Sequence, residues 1–232
     1  MIPLAVPQSS PQSSPSPARG TLPPTFDAAF LEQLEALFRW RRDVRRFRTE
    51  PLPEGLLDAL IGLAALAPSV GNSQPWRFVT VEDPERRAAV RANYARCNAQ
   101  ALSAYAGERA RLYASLKLGG LEDAPAQLAV FTDMGTGLGH GLGRQTMPET
   151  LTYSVVGAVH ALWLAARAHG VGLGWVSILD PSELAESLAV PADWSLVAYL
   201  CLGYPVEEHT DPELDRHGWQ RRVDPRRFIV QR

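Results

Sequence analysis

The chain has 232 residues, of which 46% are hydrophobic and 21% are charged, and its formal net charge is −2. This length and apolar content are enough to bury one sizeable core, so a single folded domain is expected. The near balance of acids and bases gives no electrostatic basis for binding nucleic acid or a membrane surface, and no apolar run reaches the roughly 18 residues of a transmembrane helix.

Residues 1–24 are dominated by Pro, Ser and Gln. Such a composition cannot bury enough apolar surface to offset the entropy of ordering, so a disordered extension is predicted before one domain at 25–232. The segment Met1–Val6 lacks the basic and apolar regions of a signal peptide. Because Cys97 and Cys201 stand far apart without a CxxC motif, a reduced, cytoplasmic compartment is expected.

Two helices are predicted in the first third of the domain. The first begins at Thr25 or Asp27, both of which can cap a helix, and ends near Trp40. The second follows Pro53 and continues to Pro68. Because this second helix is apolar on nearly every side, it is expected in the centre of the domain or in a subunit interface.

Strands are predicted at 76–82, 126–133 and 194–203, where apolar runs or apolar alternation lie between turn residues. A long helix with an apolar stripe is predicted over 147–170, and a glycine-rich segment leads into a further strand within 170–181. Helices therefore alternate with strands, which predicts an α/β or α+β domain of three layers.

Two segments carry alternative interpretations. The pattern of residues 84–119 predicts two helices with many charges and a few tyrosines. They form either a solvated helical hairpin or, at about 92–120, a lid over a ligand pocket. Residues 212–232 form an arginine-rich arm. Because Trp219 and Phe228 are costly to expose, the arm is expected to wrap a second subunit rather than to be a disordered tail.

The first motif surrounds one carboxylate with four guanidinium groups. Arg41, Arg42, Arg45 and Arg46 flank Asp43 between the first helix and Phe47. Planar guanidinium donors bind anions by paired hydrogen bonds, so the segment predicts a phosphate clamp.

The second motif is a polar turn within 68–76, some twenty residues further on. Its Gly71, Asn72 and Gln74 can present backbone and amide groups to a planar heterocycle. Together, the two motifs predict a binding site for a ligand with an anionic end and a flat ring.

Other candidates are weaker. The glycine-rich loop 135–144 fits neither dinucleotide nor P-loop spacing, so a flexible surface loop is expected, with Arg144 its one ligand candidate. His160 and His169 are too far apart for a helical metal pair, and no metal site is expected. In the arm, Arg221 is the residue chosen to complete the phosphate clamp.

In this order and at this distance, the two motifs resemble the FMN-binding signature of the nitroreductase-like flavoproteins. Its usual form is Arg-Arg-Ser-x-Arg-x-Phe followed by Pro-Ser-x-x-Asn-x-Gln-Pro-Trp, and Asp43 stands here in place of the Ser. The resemblance spans about 38–225 and implies an α+β, three-layer α/β/α fold with a mixed central sheet. It also implies FMN bound across the interface of an intertwined homodimer.

Three features resemble one branch, the flavin destructases that make 5,6-dimethylbenzimidazole for cobalamin. They are the Asp within 41–45, the segment 174–181 and the helical insertion before Pro125. The resemblance implies that reduced FMN, supplied by a separate flavin reductase, is consumed with O2 to give 5,6-dimethylbenzimidazole and erythrose 4-phosphate.

The resemblance also implies roles for individual residues. Asp43 would be the general acid and base, although it could instead only orient Arg42 or Arg45. Ser177, which by residue type alone is a structural or a ligand-facing hydroxyl, would hydrogen-bond near the reactive ring edge. The residues expected to bind FMN are Arg41, Arg42, Val44, Arg45, Ser69, Gly71, Asn72, Gln74 and Arg221. Gly71 would let the backbone approach the flavin face.

Other functions remain open from the sequence. An NAD(P)H-dependent nitroreductase or flavin reductase would share the fold but keep its FMN through turnover. A reductive dehalogenase would do the same, and a flavin carrier would catalyse nothing. Irreversible loss of the flavin absorbance separates all of these from a flavin destructase.

Overall fold

The computed structural model describes residues 22–116 and 119–232. The predicted extension at 1–24 falls almost entirely outside these residues. The helices are α1 Ala28–Trp40, α2 Leu56–Ala64, α3 Pro84–Ser103, α4 Gly107–Ser115, α5 Gly120–Asp123, α6 Thr150–Ala168, α7 Pro181–Ser187 and α8 Glu213–Arg216. The strands are β1 Trp76–Thr80, β2 Ala126–Asp133, β3 Gly172–Val176 and β4 Trp194–Gly203, and single 3-10 turns occur at Val70–Asn72, Leu138–Gly141 and Pro225–Phe228.

The four strands form a sheet in the order β1-β2-β4-β3, and every neighbouring pair is antiparallel. These four strands alone are antiparallel throughout, and the parallel component of the expected mixed sheet comes from outside them. Helices connect antiparallel neighbours as well as parallel ones, so their alternation along the chain did not fix strand direction. A parallel contact is made instead by a residue outside the strands, at the bridge between Asp43 and Leu173.

Helices cover both faces of the sheet and confirm the three-layer fold. Along β2, Leu128 and Val130 point into the core on the side of α2 and α6. Ala129 and Phe131 point into the opposite core, which includes residues of α3, α5 and α7. This alternation follows from the two-residue period of a strand, and it makes both faces of β2 apolar.

Helix α6 is the central support of the domain. Its buried stripe includes Val155, Val159, Leu162 and Ala166, and it packs against α2 and the sheet. Helix α2 ends at Ala64, earlier than the predicted boundary before Pro68. Within the described part of the chain, no helix is long and apolar enough to span a bilayer.

Several helices leave apolar side chains in solvent. Helix α1, capped by the Asp27 side chain, buries none of its residues. On α2 and α6, which pack against each other, the exposed apolar residues include Leu63, Tyr153 and Val156. The chain end carries Phe228 at 73%, with the similarly exposed Ile229 and Val230 beside it. Apolar patches of this kind mark interaction surfaces.

Candidate active site

The first motif runs along the free edge of the sheet. Beyond α1, the N–H of Val44 donates to the carbonyl oxygen of Leu173 in β3 at 3.1 Å. Further on, Phe47 is buried and bridges to Pro205. The segment therefore acts as an additional, fifth strand-like element, and this fixes the position of Asp43.

Glycines in β3 make this close approach possible. A Cβ on Gly172 would lie 2.9 Å from Cγ2 of Val44, and a Cβ on Gly174 would overlap the Val44 carbonyl oxygen. The sequence Gly172-Leu-Gly174 thus leaves room for the arginine-rich segment. Sequence analysis placed these glycines before a strand, whereas the structure places them within it.

Asp43 is held by one backbone donor and one side chain. Its Oδ1 accepts the N–H of Trp175 at 3.0 Å, and its Oδ2 lies 3.5 Å from Nε of Arg45. Burial among the surrounding protein atoms raises the pKa of Asp43, with the Trp175 N–H and Arg45 opposing that shift. The side chain is nevertheless 38% exposed. The carboxyl group is thus partly desolvated but reachable by a ligand.

The neighbouring arginines converge on a cleft of about 160 Å³ that is also lined by the arm. The guanidinium of Arg41 stacks over the Trp163 ring at 4.7 Å, and Nε of Arg42 donates to the carbonyl oxygen of Thr210 at 2.8 Å. Burial lowers the pKa of both arginines, and the nearby positive charge of Arg222 lowers both further. Three cations held this close together favour an anion between them.

The arginine of the arm that lines this cleft is Arg222, which lies beside Arg41 and Arg42. Arg221, the residue chosen from the sequence, is exposed like Arg222 but does not line the cleft. Adjacent side chains of an extended chain point to opposite sides, so only one of these two arginines can face the cleft. The sequence alone does not show which one.

Ser177 directly follows the last residue of β3 and is exposed. It stands two residues beyond Trp175, whose N–H binds Asp43, so about 7 Å of extended chain separates the two positions. The structure thus places Ser177 at the same end of the edge strand as Asp43.

The second motif is a strained turn. Gly71, Asn72 and Gln74 have φ angles of +56°, +54° and +45°, in the left-handed region. The Oγ of Ser69 accepts the Gln74 N–H at 3.0 Å, which holds the turn together. The side chains of Asn72 and Gln74 stay exposed. Non-glycine residues in this conformation concentrate at ligand sites.

The glycine-rich loop supports this turn. A Cβ on Gly71 would lie 2.7 Å from the carbonyl oxygen of Leu142, and a Cβ on Gly139 would lie 2.5 Å from that of Gly71. Gly71 is thus required for contact within the chain, and its approach to a flavin stays a prediction. Among the described residues, Nη1 of Arg144 is buried without a hydrogen-bond partner.

The two motifs contact different parts of α6. The carbonyl oxygen of Arg42 accepts the Trp163 Nε1–H at 3.2 Å, whereas the N–H of Val70 donates to Oγ of Ser154 at 3.0 Å. Nine residues of helix separate Ser154 from Trp163, which corresponds to about 14 Å. The structure of one chain therefore does not join the two motifs into one pocket.

Metal ligation has no support in the described residues. Across 22–116 and 119–232, no three or more His, Cys, Asp or Glu side chains are grouped to hold a metal ion.

The profile of the nitroreductase family matches residues 38–204, which includes both motifs. The chain belongs to the nitroreductase family. This confirms the resemblance drawn from the motifs at 41–47 and 68–76.

Curated relatives narrow the family. A 5,6-dimethylbenzimidazole synthase of Rhodospirillum rubrum is 58% identical over 199 residues, covering 86% of this chain and 94% of the relative. Another, of Rhodobacter capsulatus, is 50% identical over 195 residues, covering 84% and 94%. These family members favour the synthase branch over the nitroreductase alternative.

Solved structures confirm the fold. Iodotyrosine deiodinase, solved with FMN and 3-iodo-L-tyrosine, has a TM-score of 0.64 and 27% identity, covering 76% of this chain and 91% of its own. A nitroreductase-like protein of Streptococcus mutans has a TM-score of 0.64 and 17% identity, covering 87% and 98%. The similarity to the second protein concerns the fold alone.

Proposed function

We propose that this chain is a 5,6-dimethylbenzimidazole synthase, an oxidoreductase that consumes reduced FMN and O2 and releases 5,6-dimethylbenzimidazole and erythrose 4-phosphate. The observation that carries the proposal is the placement of Asp43. A partly desolvated carboxyl group stands inside an arginine-lined cleft, at the position where the usual signature has a serine. A relative of this branch is 58% identical over 199 residues.

The arginine cleft suits the phosphate of FMN. Burial and the positive charge of Arg222 lower the pKa of Arg41 and of Arg42, so bringing a dianion among the three guanidinium groups relieves their mutual repulsion. The contacts of Arg42 with Thr210 and of Arg41 with Trp163 hold two of these guanidinium groups in place. Preorganised donors bind an anion with little loss of side-chain entropy.

Asp43 and Ser177 are the proposed catalytic residues. Reduced flavin reacts with O2 by its own chemistry, so the protein must hold it, exclude water and direct protons. Burial raises the pKa of Asp43, which makes its carboxyl group a better proton donor and acceptor for this role than a fully solvated carboxylate. We assign this exchange at the ribityl chain or bound oxygen to Asp43, and a hydrogen bond to the ring edge to Ser177.

The insertion suits the role of a lid. Helix α4 buries none of its residues, and Tyr105 and Tyr113 instead form an aromatic cluster with Trp219 of the arm. Arg109 stacks over Trp219 at 4.8 Å and donates to its carbonyl oxygen at 3.2 Å. An element with so little core of its own can open at low cost. Helix α4 and the arm would then open together, while α3 stays in place through its buried Asn93.

A homodimer completes the site. The Val70–Asn72 turn contacts α6, on which Tyr153 and Val156 are exposed, and the arm ends in exposed apolar residues. A second copy covering these surfaces brings its own arginine cleft to the polar turn of the first. Each FMN then contacts the motif of 41–47 from one subunit and the motif of 68–76 from the other.

Reduced FMN is proposed to come from a separate flavin reductase in the cytoplasm. A nicotinamide would need an open flavin face, which a closed lid denies it. The isolated positions of Cys97, half-buried, and Cys201, buried, are consistent with a reducing compartment.

The function is tested by one spectroscopic experiment. FMN is reduced chemically without oxygen, bound to the protein and exposed to air. We expect the yellow absorbance not to return in full, and chromatography to show 5,6-dimethylbenzimidazole in proportion to the missing flavin. Full recovery of FMN over repeated cycles would instead indicate a nitroreductase, a dehalogenase or a flavin carrier.

Replacing Arg222 by Gln is expected to weaken FMN binding by about 10- to 100-fold, because one charge-assisted hydrogen bond to phosphate contributes about 1.5–3 kcal/mol. Arg221→Gln is the matched control, since the exposed Arg221 does not line the cleft. Fluorescence titration with FMN measures both variants. If Arg221→Gln loses as much affinity as Arg222→Gln, the effect comes from the overall positive charge of the arm and not from a specific contact of Arg222.

A further inference from the structure

Asn93 is a buried polar side chain that the proposed site does not use. It lies on α3, on the side that packs against α7, and only 2% of it is exposed. Its Nδ2 donates to the carbonyl oxygen of Asp180 at 3.1 Å, and its Oδ1 accepts the N–H of Asp180 at 2.8 Å. One side-chain amide thus binds both backbone groups of a single residue.

Asp180 is also fixed from its other side. Its Oδ1 accepts the N–H groups of Ser182 and Glu183 at 3.0 and 3.1 Å, which caps the N-terminus of α7. Between the end of β3 at Val176 and this cap, residues 177–179 belong to no strand or helix. Their path is therefore set by β3 at one end and by Asp180 at the other.

We propose that Asn93 is a positioning residue, which holds Asp180 so that the Ser177 hydroxyl is kept in place at the flavin. This inference rests on the function proposed above. Asn93 contacts Asp180, which lies three residues beyond Ser177 in the sequence. Asn93 does not line the arginine cleft. Its effect on the reaction therefore passes through the segment 177–180.

The energetics favour a large effect on rate. Without Asn93, both backbone groups of the part-buried Asp180 lose a partner, and the segment must rearrange to recover them. Displacement of a reacting group by about 1 Å can reduce a rate by about 100-fold. Binding of FMN phosphate is unaffected, because the arginines are held by other residues.

The test compares Asn93→Ala with Arg96→Gln. Arg96 lies one helical turn further along α3 and pairs with Glu183 of α7 at the surface, so its loss perturbs the same two helices without touching Asp180. For Asn93→Ala we expect kcat for benzimidazole formation to fall about 10- to 100-fold, with KM for reduced FMN within about twofold. Arg96→Gln should match the wild type in both.

A double variant shows whether the effect passes through Ser177. In a Ser177→Ala background, adding Asn93→Ala should cause no further fall in product, because the group that Asn93 positions is already gone. An unchanged kcat for Asn93→Ala would overturn the inference. So would a further fall of the same size in the Ser177→Ala background.

Two further measurements test the inference even if Asn93→Ala folds poorly or the protein catalyses a different reaction from the one proposed. Asn93→Asp keeps an acceptor and regains an O–H donor when protonated, so its rate relative to wild type should rise as pH falls. A flat ratio would overturn the inference. Hydrogen exchange at Asp180 should be faster in Asn93→Ala than in Arg96→Gln, whatever the reaction. If the wild type forms no benzimidazole, the proposed function fails, while this exchange still reports whether Asn93 holds Asp180.

Discussion

Asp43→Asn is expected to form 5,6-dimethylbenzimidazole about 100-fold more slowly than the wild type, or slower still, because a positioned acid and base contributes about 10²–10⁴-fold. The amide retains an oxygen that can accept the Trp175 N–H, so the segment should stay on the edge of the sheet. FMN should bind at least as tightly, since a negative charge has left an anion-binding cleft. Chromatography of the products and fluorescence titration measure the two effects.

Glu207→Gln is the matched control for this variant. Glu207 is another carboxylate near the first motif, where it pairs with Arg46 at the surface. Its removal should leave product formation unchanged. If Asp43→Asn also forms product at the wild-type rate, the carboxylate of Asp43 only orients Arg45, and the assignment of acid and base chemistry to it is wrong.

Asp43→Asn is also expected to change the stability of the protein in a way that depends on pH. Burial raises the pKa of Asp43 in the folded state, so folding favours its protonated form. The contribution of Asp43 to stability is then complete below its unfolded pKa and is lost as pH rises through the folded pKa. Near pH 8, Asp43→Asn should therefore unfold at a higher temperature than the wild type. The difference between the two unfolding temperatures should vanish at about pH 4.

Subunit complementation is expected to restore activity to two inactive variants. Asp43→Asn damages the first motif, and Asn72→Gly with Gln74→Gly removes the amides of the second without strain, since glycine accepts the positive φ angles. In a dimer carrying one chain of each kind, one of the two sites has both motifs intact. Random pairing leaves about a quarter of all sites intact.

Co-expression of the two chains under different tags provides the measurement, with each variant expressed alone as the control. Benzimidazole formation at about a quarter of the wild-type rate is the expected result. If the mixture is no more active than the two variants separately, both motifs of a site belong to the same chain. The composite site would then be ruled out.

Local patterns predicted the secondary structure well. The strands at 126–133 and 194–203 were placed with the observed boundaries, because each is a continuous apolar run that ends at turn residues. The helix stop near Trp40 and the cap at Asp27 are also local signals. Strand direction was not predictable in this way, since it depends on pairing between distant segments.

The site was predictable only in part. The arginine and polar-turn motifs are recognisable because their residues are consecutive or nearly so. The Trp163 indole that holds Arg42 comes from 121 positions away, and Asn93 meets Asp180 across 87 positions. Neither residue type is unusual in a helix, so no signal in the sequence marked them.

In the proposed homodimer, the 14 Å of α6 between the two motifs would make flavin affinity depend on the protein concentration. Dilution below the dissociation constant of the dimer would separate the two halves of each site and lower the affinity for FMN. By the same linkage, bound flavin would stabilise the dimer, and consumption of the flavin would weaken it. Turnover and assembly would then be coupled through mass action.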